Sequence, residues 1–191
     1  MNSIFKIRFP LDKEFIKDKK ISDLLYTWLY YNSFYNKKWN TRYIEKAIIN
    51  ITKLSKLLKI SRSTVYNYID NLLSIGYLKE NEDFESYVLE DISESYILVD
   101  SDIMEKLMDT EEKNIIKCYC ILLKFYRTNN TNAHFTQCFL LDKIGYSNES
   151  GENYPITKNI LNRLVKMKLL KYTTEYKDNE FVSKNIITYM K

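Results

Sequence analysis

Ser61-Arg62-Ser63-Thr64-Val65-Tyr66-Asn67-Tyr68-Ile69-Asp70-Asn71-Leu72-Leu73-Ser74-Ile75-Gly76-Tyr77-Leu78-Lys79 reads as a capped amphipathic helix, a stop and the beginning of a strand. Ser61 has a short side-chain oxygen that can accept a hydrogen bond from an N–H of the first turn, so it is the expected N-cap. Val65, Ile69, Leu72 and Leu73 recur at spacings of three and four and therefore share one face. Gly76 supplies the left-handed residue that commonly ends a helix. The spacing predicts a helix over 62–75, then strands at 77–79 and 87–89 around a polar tip at 80–86.

Upstream, residues 21–35 carry Ile21, Leu24, Leu25, Trp28, Leu29 and Tyr31 as a helical stripe. Ile48-Ile49-Asn50-Ile51 is a short β-prone run, and Thr52 offers an N-cap for a short helix bearing Leu54, Leu57 and Leu58. Ile60 plugs the turn between that helix and the next. Helix, strand, helix, turn, helix, strand, loop, strand is the order of a winged helix-turn-helix unit.

The chain repeats this pattern. Residues 69–79 match 161–171 in their apolar positions at an offset of 92, and Ile51-Thr52, Leu57 and Ile60 match Phe135-Thr136, Leu141 and Ile144 at an offset of 84. The difference of eight residues falls in 146–154, rich in Asn, Ser and Gly, which reads as a loop. In the second copy a helix is expected over 111–126, a strand at His134-Phe135, and a helix capped by Thr136. Pro155 then opens the second copy's groove-type helix at its first position, where the missing N–H is harmless, and strands follow at 169–173 and 181–189. Residues 96–108 resemble 5–16, a strand leading into a short helix. The expected fold is mainly α with small β wings, an α+β chain of two consecutive winged helix-turn-helix domains, 1–95 and 96–191.

Composition narrows the chemistry. A hydrophobic share of 45% and a charged share of 28% describe a globular chain that keeps a polar surface. Neither a membrane-length apolar run nor a signal-peptide core is present, so a cytoplasmic location without membrane contact is expected. Cys118, Cys120 and Cys138 lie in apolar helical patterns and read as buried, reduced thiols. One histidine, His134, cannot make a paired-histidine metal site, and three glycines cannot build a phosphate loop or a dinucleotide fingerprint. No enzyme activity, metal or cofactor is expected. Net charge is only +4, but its distribution is uneven: +9 over residues 1–79, −12 over 80–112 and +7 over 113–191. Two basic blocks around an acidic segment suggest two units that face a polyanion.

In a helix-turn-helix the first helix braces the second, and the second lies in the major groove. Its outer side then needs polar and basic groups near the N-terminus. In the first copy these are Lys59, Ser61, Arg62, Ser63, Thr64, Tyr66 and Asn67, with Asp70 further along. Arg62 can donate to phosphate or guanine and Asn67 can pair with adenine, while Ser61, Ser63 and Thr64 suit phosphate contacts. For Tyr66 and Tyr68, packing is expected over base stacking. In the second copy Ile156, Ile160, Leu161 and Leu164 face inward, leaving Lys158, Asn159, Asn162, Arg163 and Lys166 outward. The first wing tip, Glu80-Asn81-Glu82-Asp83-Phe84-Glu85, is acidic and suits a protein contact better than a phosphate backbone.

The stretch 60–66 with 69–78 resembles the helix-turn-helix of bacterial winged-helix proteins, and the doubled arrangement across the whole chain looks like plasmid and phage replication initiators of low-GC Gram-positive bacteria. The resemblance implies sequence-specific binding of double-stranded DNA at repeated origin sites, a homodimer formed through one winged helix, and recruitment of host replication proteins. A transcriptional regulator of a mobile element would use the same surfaces. A winged-helix protein-interaction module would need no basic face, and the two basic blocks count against it.

Overall fold

The computed structural model describes residues 5–38, 40–90, 94–110, 112–129, 133–149, 151–175 and 184–191, and it is a mixed α+β protein. Along the chain come β1 (Lys6–Pro10), α1 (Lys13–Lys17), α2 (Asp23–Tyr31), β2 (Phe34–Asn36), β3 (Thr41–Glu45), α3 (Ile51–Leu57) and α4 (Arg62–Ser74). They are followed by β4 (Leu78–Asn81), β5 (Ser86–Leu89), β6 (Tyr96–Asp100), α5 (Ser101–Met108) and α6 (Ile115–Asn129). The last five are β7 (His134–Phe135), α7 (Gln137–Lys143), α8 (Tyr154–Lys166), β8 (Leu170–Glu175) and β9 (Lys184–Met190). None of the helices among the described residues is long and apolar enough to cross a membrane.

The chain forms two units. One joins Met1–Asp12 to Lys20–Lys113, the other Lys13–Lys19 to Asn114–Lys191. This differs from a division at residue 95. In the first unit β6 pairs antiparallel with β1, Lys6 opposite Asp100 and Pro10 opposite Tyr96. Ile7 and Phe9 of β1 are buried, as are Ile97 and Val99 of β6, and α5 adds Ile103, Met104 and Leu107 to that core. Residues 96–108 therefore stay with the first unit. The likeness of 96–108 to 5–16 holds as element order, but the short helices part company: α5 packs on α2 and β1, whereas α1 packs on α7 in the second unit.

Within the first unit the second sheet runs β2-β3-β5-β4; in the other unit the sheet runs β7-β9-β8. Leaving β2 aside, strands that precede, follow and close the paired helices take the same places in both. Leu78 opposite Leu89 corresponds to Leu170 opposite Met190.

Several local expectations are corrected. The helix 21–35 stops at Tyr31, because Asn32 Nδ2 and Ser33 Oγ donate to the last-turn carbonyls of Trp28 (2.8 Å) and Tyr30 (2.7 Å). Phe34 and Tyr35 then enter a strand. The β-prone run 48–51 is instead the end of a 3-10 turn, Lys46–Ile48, leading into α3, while the strand lies upstream as β3. The cap of α3 is Asn50, whose side chain accepts from Lys53 N at 2.9 Å, rather than Thr52. Asn50 thus corresponds to Thr136, which caps α7 by accepting from Phe139 N at 3.0 Å. The two braces α3 and α7 are offset by 86 rather than 84, and the insertion is six residues rather than eight. In a short helix Leu54, Leu57 and Leu58 satisfy more than one register; burial of Leu54 and Leu58 with Leu57 left exposed decides it.

Ser61 caps α4, accepting from Thr64 N at 3.1 Å, and Gly76 follows the helix with φ +78°. The helix predicted over 111–126 begins at Ile115, and the closing strand predicted over 181–189 is seen from Lys184. Residues 111 and 181–183 lie outside the described residues. Tyr154 and not Pro155 takes the first position of α8, with Asn153 before it. Cys118 and Cys120 are buried as expected, but Cys138 is only half-buried, with its sulfur 3.0 Å from the Tyr154 hydroxyl.

Candidate nucleic-acid interface

Two features fix the angle at which α4 leaves α3. The chain turns through Lys59, which holds φ +52°, and the Ile60 N–H closes back onto Ser55 O at 3.0 Å. The second unit makes the same turn with Gly145 at φ +79° and Tyr146 N–H to Leu141 O at 2.9 Å. A left-handed backbone costs a β-carbon-bearing residue about 1–2 kcal/mol, so lysine stands where glycine is the unstrained choice. Lys59→Gly is therefore expected to raise stability by about 1 kcal/mol in thermal melts, less the added freedom of the unfolded chain. If Lys59 touches DNA, the same change weakens duplex binding, which a gel-shift titration reads separately.

On α4 the inner face is Val65, Ile69 and Leu72, all buried. Arg62, Ser63, Asn67 and Asp70 are exposed, Tyr66 is 55% exposed, and Thr64 is half-buried. The packing expected for Tyr66 is thus corrected: it is largely exposed, because position 66 falls outside the buried stripe of Val65, Ile69 and Leu72. Tyr68 is half-buried. Ser61 Oγ lies 2.7 Å from Ser63 Oγ and 2.8 Å from Thr64 Oγ1, so three hydroxyls gather at the start of the helix. One intrahelical consequence is general: the N–H groups of Arg62 and Ser63, in the first turn, have no acceptor inside α4. Together with the exposed Lys59 and Arg62 they make a donor-rich end.

Charge is arranged differently from the sequence reading. Arg62 and Asp70 balance each other on α4, and the cationic excess of this motif comes from Lys53 and Lys56 on the brace and Lys59 in the turn, all exposed. Lys53 and Lys56 are additional candidates; a polar and cationic outer face on the brace was the available signal.

In the second unit α8 buries Thr157, Ile160, Leu161 and Leu164, with Ile156 half-buried. Lys158, Asn159, Asn162, Arg163 and Lys166 are all exposed. Lys158, Asn162 and Lys166 stand four apart, as do Asn159 and Arg163, which lays them in adjoining stripes on one side. The helix carries no acidic residue. Among the described residues, Arg62, Lys158, Arg163 and Lys166 are in no ion pair. The ion pairs lie elsewhere, as Lys17 with Asp142 (2.9 Å), Lys46 with Glu80 (3.3 Å) and Lys79 with Glu90 (3.3 Å). The hydrogen bond from Lys17 holds the Asp142 carboxyl below its ordinary value.

The structure thus gathers Lys59, Ser61, Arg62, Ser63, Thr64, Tyr66 and Asn67 on one turn-and-helix surface of the first unit. It gathers Lys158, Asn159, Asn162, Arg163 and Lys166 on one helix face of the second. The acidic tip between β4 and β5 exposes Glu82, Asp83 and Glu85, and Phe84 is 63% exposed among them. Among the described residues no group of His, Cys, Asp and Glu side chains could hold a metal ion. No protein-family model, no curated protein sequence and no solved structure matches the chain.

Proposed function

We propose that this protein is a tandem winged helix-turn-helix protein that binds double-stranded DNA in a sequence-specific manner, using α4 and α8 as its groove-facing helices. The observation that carries the reading is the outer side of α8: three cations and two amides, all exposed, with no acid on the helix and no ion pair holding the cations among the described residues. Cations left unpaired on one face suit phosphates, whose neutralisation releases counterions. Asn159, Asn162 and Asn67 have the donor and acceptor needed for adenine edges. On α4 the gathered hydroxyls and Arg62 support the same role with fewer charges.

Its biological task, on the resemblance described above, is initiation of plasmid or phage replication as a homodimer that recruits host replication proteins. The exposed acidic tip with Phe84 supports a protein contact beside the DNA contacts, since its carboxylates would repel a phosphate backbone. Transcriptional regulation of a mobile element is the second reading, using the same helices.

Selection of bound duplexes from a random pool tests both the binding and the task. Direct repeats of one motif are expected for an initiator, and a palindrome would favour a repressor's operator. Repeating the selection with Arg62→Ala/Asn67→Ala should erase part of the motif. Recovery of no enriched sequence, or of the same full motif, would overturn sequence reading by α4.

A further inference from the structure

The hairpin β2–β3 forms a second surface of nucleic-acid chemistry, distant in sequence from the groove-type helices. Its sequence interleaves rings and cations: Phe34-Tyr35-Asn36-Lys37-Lys38, then Arg42 and Tyr43 on the return. Tyr35 pairs with Arg42 across the hairpin, so both side chains lie on one face. On that face is a cleft of about 560 Å³, lined by Tyr26, Tyr30, Tyr35, Asn40, Arg42 and Glu90 among others. Its size falls within the range of roughly 300–1,000 Å³ typical of ligand clefts.

The cleft is preorganised. The Arg42 guanidinium carbon lies 4.3 Å from the Tyr30 ring centre and 5.9 Å from that of Tyr35. Arg42 Nη1 donates to Ser33 O at 3.1 Å and Ser33 Oγ at 3.0 Å. Among the described residues its Nη2 and Nε groups have no acceptor, so one edge of the fork is anchored and the other is available. Tyr35 is 50% exposed, and its hydroxyl donates to Asn40 Oδ1 at 2.5 Å, which holds the ring at the rim. Lys37 is exposed at the hairpin turn. Among the described residues that line the cleft, the carboxylate is that of Glu90, and Lys79 holds it at 3.3 Å.

A flat face at the rim, an anchored fork with free donors and a cation at the turn match one ligand chemistry, an unstacked base with its phosphate. A duplex does not offer this, because its bases are stacked. Sequence-tolerant binding of single strands generally combines aromatic stacking with backbone cations in this way.

We propose that the β2–β3 cleft binds single-stranded DNA, with a base against Tyr35 and a phosphate on Arg42 and Lys37. The choice of DNA rests on the duplex-binding reading above; the chemistry of the cleft does not.

The test is fluorescence anisotropy of a labelled 20-nucleotide oligo-dT with the full chain, alongside a duplex. Unmodified protein should bind oligo-dT, Tyr35→Ala should weaken that binding about tenfold, and Tyr35→Phe should leave it within about twofold. Arg42→Lys keeps the charge but loses the planar fork, and should weaken oligo-dT binding as well. Thermal melts of each variant separate lost binding from lost folding. Duplex affinity should be unchanged in Tyr35→Ala. Oligo-dT binding that is absent in the unmodified chain, or equal in the folded Tyr35→Ala and unmodified proteins, would overturn the proposal. So would equal loss of duplex and oligo-dT binding in Tyr35→Ala, or oligo-rU bound more than tenfold tighter than oligo-dT. If duplex binding fails altogether while oligo-dT binding still depends on Tyr35, the reading of α4 and α8 falls and the cleft stands.

Discussion

Gly145→Ala will destabilise the protein by about 3–5 kcal/mol. Two penalties combine. Gly145 holds φ +79°, a region in which a β-carbon costs about 1–2 kcal/mol. That β-carbon would also sit 2.1 Å from the carbonyl oxygen of Lys17 and 3.0 Å from its carbon, and both are backbone atoms. No rotamer can relieve the overlap, so α1 must shift off the turn that follows α7. The shift strains the Lys17–Asp142 hydrogen bond and the buried Phe15 and Ile16. Differential scanning calorimetry should show Tm lower by about 10 °C for a chain of this size. A Tm unchanged within about 2 °C would mean that α1 does not pack on this turn. The corresponding position of the first unit is Lys59, where the opposite substitution is expected to stabilise.

Removal of the three α8 cations, as Lys158→Ala/Arg163→Ala/Lys166→Ala, should lower duplex affinity about a hundredfold near physiological salt. The magnitude follows from counterion release: each phosphate contact contributes roughly 0.9 to the slope of log affinity against log salt, and three contacts evaluated near 0.15 M give about two decades. Folding should survive, because all three side chains are exposed and none is in an ion pair among the described residues. Lys166 and Arg163 in the last turn also complement the helix dipole, so a stability loss of about 1 kcal/mol is compatible with this role. Circular dichroism melts separate that loss from the binding defect. A triple variant that is folded and binds as well as the unmodified chain would remove α8 from the interface.

The helices that form the candidate interface were legible because their signals are local. Ser61 caps, Gly76 stops, and Val65, Ile69 and Leu72 leave one outer face by periodicity alone. The same reasoning worked for α8, where Ile160, Leu161 and Leu164 are buried. Boundaries set by small polar side chains were less visible. Asn32 and Ser33 end α2, but Phe34 and Tyr35 continue an apolar pattern across them and hide the hairpin. The same continuity hides the interleaved rings and cations of β2–β3 in the sequence.

The repeat was legible as a pattern and misplaced in register, since a seven-residue brace contains too few apolar positions to exclude a slip of two. Membership of the two units was not legible at all. Residues 13–17 and 101–108 look alike in sequence as short helices after strands, yet α1 joins the later unit and α5 the earlier one. Local patterning gives an element and its buried face, while the choice of core depends on which surface completes it. Lys53 and Lys56 are not marked by a pattern that singles out the second helix of the pair, although the brace supplies more of the positive charge.

The most direct measurement of the central claim is the salt dependence of duplex affinity, titrated between about 50 and 200 mM with unmodified protein. With Lys59, Arg62, Lys158, Arg163 and Lys166 each neutralising one phosphate, log affinity should fall against log salt with a slope of about −4.5. A slope near zero, or no duplex binding at the low-salt end, would contradict the assignment of α4 and α8 to DNA.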